Sequence, residues 1–179
     1  MKIIDCMSVL KLNKLHLHLT DDNGWRLEIK KYPRLTSVGA WRVNQTDRPF
    51  PDRRNPEPGE PTPIGGYYTQ EDMKEIIRYA AGRCIEIIPE IDMPGHSNAA
   101  LAAYPELACP SVDKHICVVP GMGQGSGNII FCAGNEETFR FLEGVIDEVA
   151  ELFPSHYIHL GAMRPGKNTG RNAPGVRTA

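Results

Sequence analysis

The sequence predicts an α/β fold built on parallel strands, and three observations carry that prediction. Segments with helical and strand periodicity alternate along the chain in the order helix, strand, loop, helix, strand, loop, helix, strand. The strand segments are short apolar runs closed by Gly, Pro, Asp or Asn. In each repeat the polar, reactive residues follow the strand's C-terminal end, which is where open α/β sheets and (β/α) barrels both place ligand sites.

Ile3, Ile4, Met7 and Leu10 recur at helical spacing from the first residues, with no capping residue before them, so the chain is expected to start inside an element. Leu15, Leu17 and Leu19 alternate with His16 and His18 and run into Thr20, Asp21, Asp22, Asn23 and Gly24, the pattern of a strand and then a loop. From Val43 to Pro63 six prolines and no periodicity predict a long loop. Thr69 with Asp72 resembles a capping box, and Met73, Ile76, Ile77 and Ala80 supply an apolar face, so helix is predicted over 69–82 with Gly82 as its stop. Ile85, Ile87 and Ile88 then read as a strand closed by Pro89, with Glu90, Asp92, Gly95 and His96 in the following loop and a helix at 97–103. Asn135 is placed to cap a helix over 135–152 whose face is Phe139, Leu142, Ile146 and Val149, ended by Pro154. Tyr157, Ile158 and Leu160 supply a third strand.

The 179 residues amount to one domain, and 41% apolar with 23% charged residues is a globular composition. Twenty basic against 22 acidic side chains lack the basic footprint of a nucleic-acid binder. No apolar run reaches the roughly 18 residues of a membrane span. Five cysteines without a CxxC pair match neither a disulfide framework nor a zinc site and are expected to be buried thiols. MKIIDCMSVLKLNK has no apolar core with a small-residue cleavage site, so no signal peptide is expected there.

Two motifs carry chemistry. HLHLTDD sets two imidazoles on one strand face with two carboxylates just beyond. These groups suit metal ligation. The segment by itself favours hydrogen-bonded interior histidines, and Asp21 and Asp22 equally suit a turn with Gly24 supplying the bend. PEIDMPGH brings Glu90, Asp92 and His96 to one end of a strand, an arrangement for acid/base support, or a polar loop whose His caps the next helix.

Taken in order, LNKLHLHLTDDNGWRLEIKKYPRLTSVGAWR, GGYYTQEDMKEIIRYAAGRCIEIIPEIDMPGHSNAALAAYPEL and LFPSHYIHLG resemble the catalytic domain of the family-twenty glycoside hydrolases, the β-N-acetylhexosaminidases. The resemblance covers about residues 1–161. It implies a partial TIM (β/α)8 barrel with about three of eight strands present, the first strand falling before residue 1 and strands five to eight beyond residue 179. The implied activity is removal of terminal N-acetylglucosamine or N-acetylgalactosamine from a glycan, with no cofactor and no metal. The substrate's own 2-acetamido carbonyl is the nucleophile in such enzymes. An Asp polarises it, and the adjacent Glu is general acid and then base. The resemblance places on His96 the histidine behind that Glu, on Asp21 the carboxylate that holds it, and on Asp92 a further carboxylate of the loop. Relatives are commonly exported or lysosomal.

The family strand reads His, hydrophobic, Gly, Gly, Asp, Glu, whereas here His159, Leu160 and Gly161 lead into Ala162, Met163 and Arg164. Methionine is a poor acceptor, and arginine holds its proton to above about pH 12, so general-acid catalysis by this chain is not expected. Residues 162–179 hold four basic residues, no acidic residue, three glycines and two prolines without periodicity, an irregular tail expected to be out of frame. Gly161–Arg164 can be encoded GGT GCG ATG AGG, and with those codons one G inserted after the first yields GGT GGC GAT GAG, which reads Gly, Gly, Asp, Glu. An unclosed sheet of this kind is expected to expose an edge and an apolar helix face and to aggregate or need a partner. Two rival readings are a metal-dependent barrel hydrolase using His16, His18, His96 and His159, and a non-catalytic carbohydrate-binding remnant.

Overall fold

The computed structural model describes residues 1–110, 112, 115–121 and 129–162. α1 (Lys2–Val9) buries Ile4 and Met7 but leaves Ile3 and Leu10 exposed, a narrower face than its apolar spacing implies. β1 (Lys14–His18) turns Leu15 and Leu17 toward the core and Lys14, His16 and His18 to the opposite face. β2 (Thr20–Asp21) and β3 (Gly24–Trp25) form a tight antiparallel ribbon, so Asp21 lies in a strand rather than a loop. After the single turn α2 (Arg34–Ser37), β4 (Trp41–Arg42) pairs with β5 (Ile64–Gly65) and pinches the proline-rich 43–63 loop at its base.

α3 (Gln70–Ala81) opens with the expected capping box, since Asp72 N–H donates to Thr69 Oγ1 at 3.1 Å while Thr69 N–H donates to the Asp72 carboxylate at 2.9 Å. β6 (Glu86–Met93) corrects the sequence reading, because Pro89 does not close the strand. Glu90 C=O accepts from Leu19 N–H on the β1 side, so in the alternating parallel pattern the missing Pro89 N–H faces the other neighbour. That neighbour pairs only from Glu90 onward, and the proline breaks no ladder bond. Glu90 and Asp92 are therefore strand residues. α4 (Asn98–Ala103) follows as expected.

α5 (Glu136–Leu152) is capped by Asn135, whose side-chain oxygen accepts from Glu137 N–H at 3.0 Å. Its buried face is Thr138, Phe141, Gly144, Val145 and Val149, while Phe139 is 47% exposed, so the predicted face was rotated about one position. The reason is packing: Gly144 admits Lys31 and Tyr32, and Thr138 sits beside Leu107. β7 (His159–Gly161) starts two residues later than Tyr157.

The main sheet is parallel, ordered β1-β6-β7. One face carries Leu15, Leu17, Ile87 and Ile91 into a core shared with Met73, Ala80, Val145 and Val149 from α3 and α5. The other face is polar. Among the described residues no helix is long and apolar enough to cross a membrane. Cys109, Cys117 and Cys132 are buried as expected of thiols, but Cys6 and Cys84 are exposed because α1 and the turn after α3 lie on the surface.

Candidate active site

Parallel register sets the polar face. His18 on β1 and His159 on β7 both lie opposite Glu90 on the central strand, so the three side chains share one row across the sheet. Glu90 is 9% exposed, and three imidazoles surround it. His16 Nε2 is 2.5 Å from Oε2, while His18 Nδ1 and His159 Nδ1 are 3.2 and 3.5 Å from Oε1. The burial of a carboxylate is tolerated here because an imidazole nitrogen lies against each of its oxygens.

His18 is the link to a second cluster, since its Nε2 lies 3.1 Å from Asp21 Oδ2. Both ring nitrogens thus face carboxylate oxygens, which only accept, so the ring fits best as a doubly protonated donor. Burial works against that charge, but the hydrogen bonds to Asp21 and Glu90 outweigh it and raise the His18 pKa above the ordinary histidine value.

His96 arrives from the turn after β6 with φ of +51°, a left-handed conformation that costs a non-glycine residue about 1 kcal/mol or more. The turn aims Nδ1 at Asp21 Oδ1, 2.9 Å away, with Asp22 Oδ2 at 3.5 Å. His96 therefore does not cap the following helix; Ser97 occupies that position. Burial lowers the His96 pKa, yet the Asp21 hydrogen bond and the Asp22 charge raise it more. For Asp21 burial acts upward, and hydrogen bonds from His18, His96 and the Asp22 N–H overcome it, holding the carboxyl below the usual range.

Asp22 and Asp92 shift the other way. Burial is the main cause for both, relieved at Asp22 by a hydrogen bond from Asn98 N–H at 3.1 Å and at Asp92 by the positive field of His96. Asp92 is 4% exposed and is held through its backbone, whose N–H donates to Thr20 Oγ1 at 2.8 Å. Its Oδ1 is buried without a hydrogen-bond partner among the described residues, directly against Gly161.

The structure thus brings Asp21, His96 and Asp92, the three candidate residues, to one end of the sheet. Met163 and Arg164 lie outside the described residues. Sequence reading grouped Glu90 with Asp92 and His96 as acid/base support and offered Asp22 as a turn carboxylate, but it gave no role to Thr20 or Asn98, whose parts depend on contacts between distant segments. The four histidines do not form one ligand set among the described residues. Potential ligand atoms group as His16, Glu90 and His159; His18, Glu90 and Asp92; and Asp21, Asp22 and His96. The rival reading of one metal centre shared by His16, His18, His96 and His159 has no counterpart among these groups.

The chain matches the sequence model of the glycosyl hydrolase family 20 catalytic domain over residues 1–174. It is 47% identical over 160 residues to a beta-hexosaminidase of Porphyromonas gingivalis, covering 89% of this chain and 18% of that protein. A beta-hexosaminidase of Vibrio furnissii is 42% identical over 174 residues, covering 97% and 27%. Among solved structures, a beta-N-acetylhexosaminidase from Bacteroides fragilis superposes with a TM-score of 0.69 at 45% identity, over 93% of this chain and 28% of that one. The Streptomyces plicatus N-acetyl-beta-hexosaminidase gives 0.69 at 42% identity, over 89% and 28%. The chain spans about a fifth to a quarter of the length of these two relatives. With its parallel sheet, its covering helices and this match, the chain belongs to glycosyl hydrolase family 20.

Proposed function

We propose that residues 1–161 form about three of the eight strands of a β-N-acetylhexosaminidase TIM barrel and that residues 162–179 are an out-of-frame tail. The whole protein would remove terminal N-acetylglucosamine or N-acetylgalactosamine from a glycan by substrate-assisted, retaining hydrolysis, the sugar's acetamide oxygen acting as nucleophile. The observation that carries this reading is the 2.9 Å contact between His96 and Asp21 beyond the ends of neighbouring parallel strands. It occupies Nδ1 and leaves Nε2 to face a proton donor. Asp21 keeps the ring oriented and charged, and His96 in turn would orient and tune the acid. Asp92 is a further supporting carboxylate. In this chain Met163 and Arg164 stand where the acetamide-polarising Asp and the acid Glu belong. Neither can do that work, so this chain is inactive as translated.

Two experiments test the proposal. The 179-residue chain should show no turnover of a nitrophenyl N-acetylglucosaminide; turnover at the rate of a complete relative overturns the inactive reading. Residues 1–161 grafted in place of the matching segment of the Porphyromonas gingivalis relative, which keeps its own downstream part, should restore turnover. In that chimera His96→Ala should lower kcat by about 10- to 100-fold, the usual effect of removing an orienting partner. Unchanged kcat would reject the role given to His96. Binding of N-acetylglucosamine by the 179-residue chain, without turnover, would instead favour a carbohydrate-binding remnant.

A further inference from the structure

Arg34, Arg54, Arg83 and Arg140 each pair with a carboxylate. Arg26, Arg42 and Arg53 pair with none among the described residues, although all three are half-buried. Their partners are backbone carbonyls. Arg26 donates to Ala40 C=O at 2.6 Å, to Gly66 C=O at 2.9 Å and to Asn23 C=O at 2.8 Å. Arg42 donates to the same Asn23 C=O at 3.2 Å, so two guanidinium groups converge on one oxygen. Arg53 donates to Arg48 C=O at 3.2 Å and to Pro120 C=O at 3.1 Å.

The three charges also crowd one another. Burial is the main cause that lowers the pKa of Arg26 and of Arg42, and the charge of Arg42 on the first and of Arg53 on the second adds to it. Both groups stay cationic, because a guanidinium keeps its proton near neutrality. Half-buried like charges without a counter-charge are relieved when an anion joins them. A guanidinium carries five N–H donors, so among the described residues Arg42 and Arg53 keep most of theirs for a further acceptor. These donors come from β4 and from the 43–63 loop, with Arg26 just after β3 beside them. Such an arrangement suits a ligand whose oxygens point several ways, and the planar fork matches two oxygens of a sulfate or phosphate at once. Chloride offers no such pair.

We propose that Arg42 and Arg53, supported by Arg26, form a binding site for a small oxyanion, sulfate or phosphate, either free or as a monoester on a larger molecule. The site is separate from the carboxylate and imidazole cluster, since among the described residues none of the three arginines is hydrogen-bonded or ion-paired to Asp21, His96 or Asp92. Bound there, the anion joins β4 and the 43–63 loop to the turn at Asn23, next to Asp22. It braces the proline-rich loop against the ribbon that carries Asp21.

The test uses the full chain at constant ionic strength, with sodium sulfate replacing sodium chloride. Trp25 and Trp41, the chain's two tryptophans, directly precede Arg26 and Arg42, so intrinsic fluorescence reports the site. Sulfate should give a saturating one-site curve. Arg42→Lys, which keeps the charge but not the fork, and Arg53→Gln should each raise the sulfate Kd by about 10-fold or more, the usual loss when a charged hydrogen bond is removed. Arg34→Gln removes the same charge from an arginine that Glu106 already pairs and should leave Kd unchanged. A response that never saturates, or one that Arg34→Gln weakens as much as Arg53→Gln does, would overturn the proposal, because either is diffuse attraction to charge. An unchanged Kd in both site variants would do the same. Methyl sulfate separates the two sources: binding comparable to sulfate marks a site for an ester group, and binding of sulfate alone marks one for the free ion. Amide exchange in the 43–63 segment should slow on adding sulfate to the wild type and not to Arg42→Lys; equal exchange with and without sulfate would reject the bracing role.

Discussion

His96 Nδ1 lies 2.9 Å from Asp21 Oδ1 across 75 positions of sequence, closing the turn after β6 onto the ribbon after β1. Each partner favours the other's charged form, so the histidine pKa is raised and the aspartate pKa is lowered.

That pair predicts a pH window. The stability contributed by His96 is complete below its ordinary value of 6.5 and is lost as pH rises through the elevated folded value. The contribution of Asp21 is present above 3.8 and is lost as pH falls through its depressed folded value. The contact should therefore be strongest between those limits. An NMR titration of the His96 ring should show a midpoint above 6.5 that falls in Asp21→Asn. An identical midpoint in the two proteins would remove Asp21 as the cause.

Gly161 should tolerate no side chain. Its φ is +63°, and a Cβ built there would fall on the Asp92 carboxylate. Gly161→Ala should cost about 1–2 kcal/mol from the left-handed backbone alone, with the collision in addition. Thermal unfolding of Gly161→Ala, Asp92→Ala and the double variant separates the two effects: the alanine should cost less when Asp92 is already truncated. Strict additivity would show that the carboxylate is not the obstacle.

The start of α3 depends on one hydroxyl. Thr69→Ala removes the acceptor for Asp72 N–H and should cost about 1 kcal/mol, read as a lower urea midpoint or as faster amide exchange in the first turn. Thr69→Ser should keep most of the stability, because it retains the accepting oxygen.

The surface around α1 should drive self-association. Ile3, Val9, Leu10 and Leu12 are all exposed there, and β1 and β7 are the outer strands of the sheet. Light scattering should detect concentration-dependent association of the purified chain. Val9→Glu with Leu10→Glu should reduce it, since both residues are solvent-exposed and contribute nothing to the core.

How much of this was legible depends on how local each signal is. The capping box at Thr69, the cap at Asn135 and the alternation of His16 and His18 with leucine all involve residues within a few positions of one another, and each element formed as read. The phase of α5 was misread because Phe139, Leu142 and Ile146 are apolar enough to suggest a face, while the small Gly144 and Thr138 mark where neighbouring segments press closest. Pro89 reads as a strand end because a missing N–H usually costs a ladder bond. Here that position faces a strand that begins pairing only at Glu90.

By itself the sequence determined the alternation of helix and strand, the segments that carry acid, base and imidazole groups, and the absence of the Asp–Glu pair after Gly161. Those are properties of neighbouring residues. Only the tertiary structure decided that Glu90 sits among His16, His18 and His159, that His96 reaches Asp21, and that Cys109 meets Cys132. Such meetings depend on strand register and on loop closure over tens of residues. The alternation of leucine with histidine opposes a slip of one residue, which would send every side chain to the opposite face, but a slip of two keeps both faces and would move His18 away from Glu90.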